Sequence, residues 1–218
     1  MNKIIKTNLE IKDWFAQLQD KVDMWITDPP YPFENQNGTK RFQHIDGQDL
    51  MYSRMTWADL QTIFSDMLKV TNPGGRAYVF CNRDGLFITK ELLEKTGWTF
   101  RNLIVWDKKN MGMGYHWRNQ AEYICYVSNG SVKKYIKDQP NIFSFKKPTD
   151  KDALPAISYS PSGISPKPYQ IWDKIMVAQL GDGENVADPF AGSDPLSAAI
   201  LMNPDIQARL GKAFVNIF

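Results

Sequence analysis

The run Val22-Asp23-Met24-Trp25-Ile26-Thr27 stops at Asp28-Pro29-Pro30-Tyr31, and that stop constrains the fold more than any other feature of the chain. Two consecutive prolines fix two φ angles and remove two amide donors, so neither a helix nor a central ladder continues through them. A short buried strand therefore enters a stiff corner, whose carbonyls are left to face a ligand. A carboxylate precedes the corner and an aromatic ring follows it. That set can accept hydrogen bonds from a planar amine and stack on the π face of the same group. Four residues alone equally fit an Asp-Pro turn beside a core tyrosine, so the rest of the chain has to decide.

Strands and helices alternate along the chain, the signature of a mainly parallel sheet covered on both faces. Strands are expected at Lys3–Thr7, Val22–Thr27, Arg76–Cys81, Phe100–Trp106, Tyr123–Val127, Asn185–Ala187 and Ala213–Ile217. Helical spacing of apolar residues marks Leu9–Leu18, a segment from Thr56 as N-cap to about Val70, and one from Asp84 to Gly97. Pro168 suits the first turn of a further helix reaching about Leu180. Asn72-Pro73-Gly74-Gly75 is expected to stop the second helix.

At 218 residues the chain fits one α/β domain with a full core. Its net charge of +2 means that any basic footprint must be local. The two cysteines, Cys81 and Cys125, sit in apolar runs and read as reduced core thiols. With only His44 and His116 besides, they supply no ligand set for a structural zinc. Neither a membrane-spanning run nor a signal-peptide core is seen, so a soluble protein inside the cell is expected.

A second informative run is Val186-Ala187-Asp188-Pro189-Phe190-Ala191-Gly192-Ser193-Asp194-Pro195. It reads as a strand end, a small-residue turn and a helix start, with Asp194 or Ser193 as N-cap and Pro195 at the first helical position. Such a junction at the carboxyl edge of a parallel sheet is where doubly wound folds bind ligands. Two stretches lack periodicity. Residues 33–51 hold Lys40, Arg41 and His44, and residues 128–165 cluster lysines, among them Lys133, Lys134, Lys146 and Lys147, with interleaved Tyr and Phe. Lysine runs are often plain solvated surface, whereas aromatic interleaving suits phosphate and base contacts.

Together the two runs resemble the amino-methyltransferases that modify DNA bases with S-adenosylmethionine. Asp28-Pro29-Pro30-Tyr31 is similar to that family's catalytic motif, and Asp188 to Ser193 to its cofactor motif. The catalytic motif comes first, the circularly permuted order of the family's beta class. Ser165-Pro166-Lys167-Pro168 resembles the Lys-Pro element that opens a helix over the cofactor. The stretch from Trp106 to Lys108 through Gly112 to Tyr115 to Arg118 resembles the segment following that family's sixth strand. The resemblance spans nearly the whole chain.

It implies a Rossmann-like methyltransferase domain over 1–218, with a seven-stranded, mainly parallel sheet containing one antiparallel strand. Residues 128–165 would be a small inserted target-recognition region. Asp28, Pro29, Pro30 and Tyr31 would act on an exocyclic amine of a flipped base. Thr7, Asn8, Asp28, Lys167, Pro168, Asp188, Pro189, Phe190, Gly192 and Ser193 would hold S-adenosylmethionine. Lys40, Arg41, His44, Arg118, Lys133, Lys134, Lys146 and Lys147 would meet DNA, with 33–54 and 128–165 as the walls of a basic cleft. Asp at the first motif position is the family's common choice for adenine N6, and Ser for cytosine N4, so adenine is expected. The implied setting is the cytoplasm of a bacterium, from a bacterial or phage gene, in the manner of restriction-modification systems. The small insert suits a short recognition site or a partner subunit, a homodimer being one option.

The chain also departs from the pattern. Asn8 stands where an Asp usually contacts the cofactor adenine, and Asp194 replaces a glycine. The last strand lacks the acidic residue that usually meets the ribose hydroxyls, a loss worth about 1.5–3 kcal/mol. The intact Asp28–Tyr31 corner favours an active adenine methyltransferase. The altered cofactor edge favours a weak or inactive descendant that binds nucleic acid as a decoy or regulator, and cytosine N4 remains the alternative target.

Overall fold

The computed structural model describes residues 3–32, 55–112, 116–132, 138–148 and 166–217, and the backbone of 44–45 and 48–49. In chain order the elements are β1 (Ile4–Thr7), α1 (Ile11–Gln17), β2 (Val22–Thr27), β3 (His44–Ile45), β4 (Gln48–Asp49), α2 (Trp57–Lys69), β5 (Thr71–Cys81) and α3 (Leu86–Lys95). They continue with β6 (Thr99–Asp107), β7 (Ala121–Ser128), β8 (Ile142–Ser144), α4 (Gln170–Gln179), β9 (Glu184–Asp188), α5 (Pro195–Met202), α6 (Pro204–Arg209) and β10 (Leu210–Asn216). One sheet runs in the order β1-β10-β9-β2-β5-β7-β6-β8, while β3 and β4 form a separate two-residue ladder.

All seven anticipated strands form, and an eighth joins them at the edge. Strand β7 pairs antiparallel with both β5 and β6, and every other ladder in this sheet is parallel. The extra strand, β8, is three residues with only Phe143 buried, too short to leave a periodic signal. It lies inside the stretch read as a recognition insert and pairs with β6. Helix α6 was also absent from the sequence reading. Asn203 caps it, accepting from the Asp205 and Ile206 amides, and Pro204 sits in its first turn.

Alternation along the strands fills two cores. Met24, Ile26, Tyr78, Phe80, Ile124, Val186, Ala213 and Val215 face α4, α5 and α6. Trp25, Ala77, Val79, Cys125, Val127, Ala187 and Phe214 face the layer of α1, α2 and α3. This is the double winding that near-continuous apolar strands imply. Cys81 and Cys125 are buried, unoxidised and 3.9 Å apart on the second face.

The Asn72–Gly75 stop falls inside β5 rather than before it. Helix α2 ends at Lys69, and β5 pairs with β2 at Val22↔Thr71, then resumes at Met24↔Arg76. Pro73 offers no amide and Gly74 takes φ 81°, so the ladder bulges there. The opposite end of α2 is as read: Thr56 Oγ1 accepts from Asp59 N at 3.2 Å, and Asp59 Oδ2 accepts from Thr56 N at 2.8 Å. Helix α3 starts two residues after Asp84, with Gly85 at its cap. Among the described residues no helix is long and apolar enough to cross a membrane.

Candidate active site

Parallel strands β1, β10, β9, β2, β5 and β6 all end on one edge of the sheet, and β7, running the other way, begins there. Neighbouring strands β2 and β9 are in register at Trp25↔Ala187. Asp188, one residue past this pair, and Asp28, three past it, therefore emerge on adjacent strands at the same edge. Thr27 Oγ1 donates to Asp188 Oδ1 at 2.8 Å, tying the two motifs together. The Phe190 amide donates to the same oxygen at 3.0 Å and shapes the turn after β9.

Both Asp28 oxygens carry donors. The Tyr31 hydroxyl donates to Oδ1, and the Lys167 ammonium lies 2.6 Å from Oδ2. Burial, with the Asp28 charge adding to it, pushes Tyr31 ionisation well above the usual phenol range, so it stays a donor. The sequence reading gave Tyr31 a stacking role alone; the hydrogen bond is an addition. Lys167 is placed by α4: the Trp172 indole donates to Ile26 O at 3.2 Å and stacks on Phe80 with centroids 4.7 Å apart. The helix is thus pinned over β2, and the buried Pro168 that precedes it carries Lys167 onto the corner. Glu122, at the start of β7, and Lys108, just after β6, extend this charged group. Sequence reading missed Glu122. The antiparallel direction of β7 was its signal, because it brings the start of that strand to the edge where the others end.

The turn after β9 has two residues in the left-handed region, Gly192 at φ 52° and Asp194 at φ 55°. Asp is one of the few residues besides glycine to enter that region readily, which lets Asp194 stand where a glycine was expected. Its Oδ1 caps α5 by accepting from Ser197 N at 3.0 Å, and its Oδ2 pairs with Lys6 Nζ at 2.5 Å. The charge at this departure from the pattern is therefore already compensated. Pro189, Phe190 and Ser193 are buried. Asp188 is 1% exposed, and its Oδ2 has no hydrogen-bond partner among the described residues. Burial pushes its carboxyl up to about 8, with the Asp194 and Asp28 charges contributing and the Thr27 and Phe190 bonds opposing.

Thr7 ends β1 and Asn8 follows it at the same edge. Thr7 Oγ1 donates to Asn216 Oδ1 at 3.2 Å, and Asn216 clamps the backbone of Leu9, leaving Asn8 exposed. Of the residues read as DNA contacts, Lys146 and Lys147 are exposed just past β8. Arg118, also exposed, donates to Gly112 O at 2.9 Å and Met111 O at 3.2 Å and so shapes the β6–β7 connection. Lys40, Arg41, Lys133 and Lys134 lie outside the described residues, as does the His44 side chain. Most of the two stretches read as cleft walls also lies outside them.

Comparison with known proteins gives a consistent family. Residues 22–203 match the N6/N4 methyltransferase family model described as DNA methylase. The type II methyltransferase M.HhaII of Haemophilus parahaemolyticus is 23% identical over 145 residues, 64% of this chain and 59% of its own length. The present chain thus spans about three fifths of that curated relative. In solved structures, M1.HpyAVI in complex with SAM superposes with a TM-score of 0.67 at 18% identity, covering 99% of this chain and 93% of that one. The cytosine-N4-specific PvuII DNA methyltransferase gives 0.70 at 10% identity, covering 100% and 83%. At such identities the two structures share the fold with this protein. On the family match over most of its length, the chain belongs to the DNA methylase family of N6/N4 methyltransferases.

Proposed function

We propose that this protein is a DNA methyltransferase that moves a methyl group from S-adenosylmethionine to the N6 amine of a flipped adenine. One observation carries the reading: the Asp28-Pro-Pro-Tyr corner and the Asp188–Ser193 turn leave adjacent parallel strands side by side, joined through Thr27. The donor group and the acceptor amine can then meet across a single strand boundary.

The residues present suit a cationic cofactor. Asp28 and Asp188 gather at one edge, and the buried Oδ2 of Asp188, which has no hydrogen-bond partner among the described residues, calls for a donor or a positive charge; a cation arriving there would favour loss of the proton that burial holds on this carboxyl. Asp188 to Ser193 would take the methionine end, Lys167–Pro168 one side, and Thr7–Asn8 the adenine. Bound there, S-adenosylmethionine supplies an electrophilic methyl on a sulfonium. The chain supplies the rest. An exocyclic amine is a poor nucleophile because its lone pair is delocalised into the ring. The Asp28 carboxylate and the Pro29 carbonyl accept its N–H bonds, which favours pyramidalisation and frees the lone pair. As positive charge builds on nitrogen these acceptors gain strength, so they stabilise the transition state more than the ground state. Pro30 keeps the corner stiff, and the Tyr31 ring supports the base, which must leave the duplex to reach the site.

Asp rather than Ser at position 28 supports adenine over cytosine. Lys146, Lys147 and Arg118 stand at the same edge and would meet phosphate, together with Lys40, Arg41, His44, Lys133 and Lys134. The test is transfer of a labelled methyl group from S-adenosylmethionine to unmethylated plasmid DNA. Incorporation by the native chain and none by Asp28→Asn is expected. Incorporation that survives Asp28→Asn would refute the site.

A further inference from the structure

The charged group beside the catalytic corner holds more than the proposed reaction uses. Lys167 Nζ lies 2.6 Å from Asp28 Oδ2 and 3.4 Å from Glu122 Oε2, and Lys108 Nζ lies 3.4 Å from Glu122 Oε1. Side-chain exposure is 9% for Lys167, 16% for Lys108, 21% for Glu122 and 23% for Asp28. Charges this far out of water persist only when paired. The two contacts of Lys167 are unequal. The one to Asp28 is at hydrogen-bond distance, whereas Glu122 Oε2 is buried with an ion pair but no hydrogen bond among the described residues.

The inequality bears on catalysis. With Tyr31 on one Asp28 oxygen and Lys167 on the other, a target amine must displace or share one of these donors. If Asp28 were the sole partner of Lys167, displacement would strand a buried ammonium. Glu122 removes that cost, because it offers a second acceptor a short movement away. Resting on the reading of this site as a methyltransferase, we propose that Glu122 is a positioning residue. It shares the Lys167 ammonium with Asp28, so that Lys167 holds the carboxylate in the free protein and withdraws toward Glu122 as the target amine arrives.

The surrounding charges agree. Burial works against the Lys167 charge, yet Asp28 and Glu122 outweigh it and hold the ammonium above the ordinary lysine range. Facing Asp28 are Tyr31 on its own corner, Cys81 at the end of β5, Glu122 on β7, Lys167 ahead of α4 and Asp188 on β9. Lys108 stands behind Glu122. Among the described residues Lys167 is thus the cation in contact with Asp28, and its division between two acids sets how firmly Asp28 is held.

The test compares Glu122→Gln and Glu122→Asp, both checked for native melting. Glu122→Gln should lower kcat about ten- to hundredfold, the rate equivalent of one charge-assisted hydrogen bond, and Glu122→Asp should restore part of it. The loss in Glu122→Gln should fall on kcat with KM for DNA near native, because the contact acts on Lys167 as the amine arrives. A loss confined to KM, or one that Glu122→Asp does not relieve, would overturn the inference. Carbon-13 titration of the Lys167 side chain reads the sharing without turnover. It should fall in Glu122→Gln, and an unchanged titration would refute the sharing. If the titration falls as expected but the native chain transfers no methyl group, the sharing stands and the methyltransferase reading fails.

Discussion

Replacing Asp188 by Asn should make the cofactor-free protein more stable at alkaline pH. Asp188 is 1% exposed, and burial raises its carboxyl from 3.8 to about 8. The native state therefore keeps this proton where the unfolded chain has lost it. Stability from this group is complete below the unfolded value and is lost as pH rises through about 8. By pH 9 the loss is on the order of 5 kcal/mol, at about 1.4 kcal/mol for each tenfold change. Asn keeps an oxygen for Thr27 Oγ1 and the Phe190 amide, and puts an uncharged NH2 at the unpartnered position. Leaving that amide without a partner costs about 1–3 kcal/mol, so a net gain of roughly 2–4 kcal/mol remains. For a chain of this size that is roughly 4–16 °C in Tm. Melting curves of the two proteins at pH 5, 7 and 9 check it. The gain should be largest at pH 9 and vanish toward pH 5. A variant that melts lower at pH 9, or a difference independent of pH, would refute the reasoning.

Asp28→Asn and Tyr31→Ala should each abolish transfer, with urea midpoints near native, because neither closes the sheet. Glu184→Gln should destabilise the fold by about 3–5 kcal/mol in urea titration. It removes the carboxylate paired at 2.5 Å to Arg76, whose side chain is 1% exposed; replacing both by apolar residues should recover most of the loss. Lys146→Ala or Lys147→Ala should weaken binding to all DNA sequences alike and flatten the log–log salt dependence by about 1. Unchanged slopes would make these lysines ordinary surface.

The strands were legible because each is a short apolar run bounded by breakers, and the Val22–Thr27 boundaries were met to the residue. Thr56, Asp194 and Pro195 were legible as helix starts because capping chemistry is local. Strand β8 and helix α6 were not, since three strand residues and a six-residue helix carry no period. The Asn72–Gly75 stop was seen but misplaced, because only the pairing with β2 reveals that β5 starts before it. Within the site the two motifs were legible from spacing to breakers. What joins them was not: Thr27 to Asp188, Lys6 to Asp194 and Glu122 to Lys167 are contacts between residues 120 or more positions apart or on non-consecutive elements. A linear pattern carries no information on which charges will be neighbours once the sheet forms.

Nucleoside analysis of the product tests the central claim most directly. The protein is incubated with methyl-deuterated S-adenosylmethionine and unmethylated duplex DNA, which is then digested and analysed by mass spectrometry. The account expects deuterated N6-methyl-2′-deoxyadenosine with native protein and none with Asp28→Asn. Deuterated N4-methylcytosine would contradict the assignment of the base, and the absence of any labelled nucleoside would contradict the proposed activity itself.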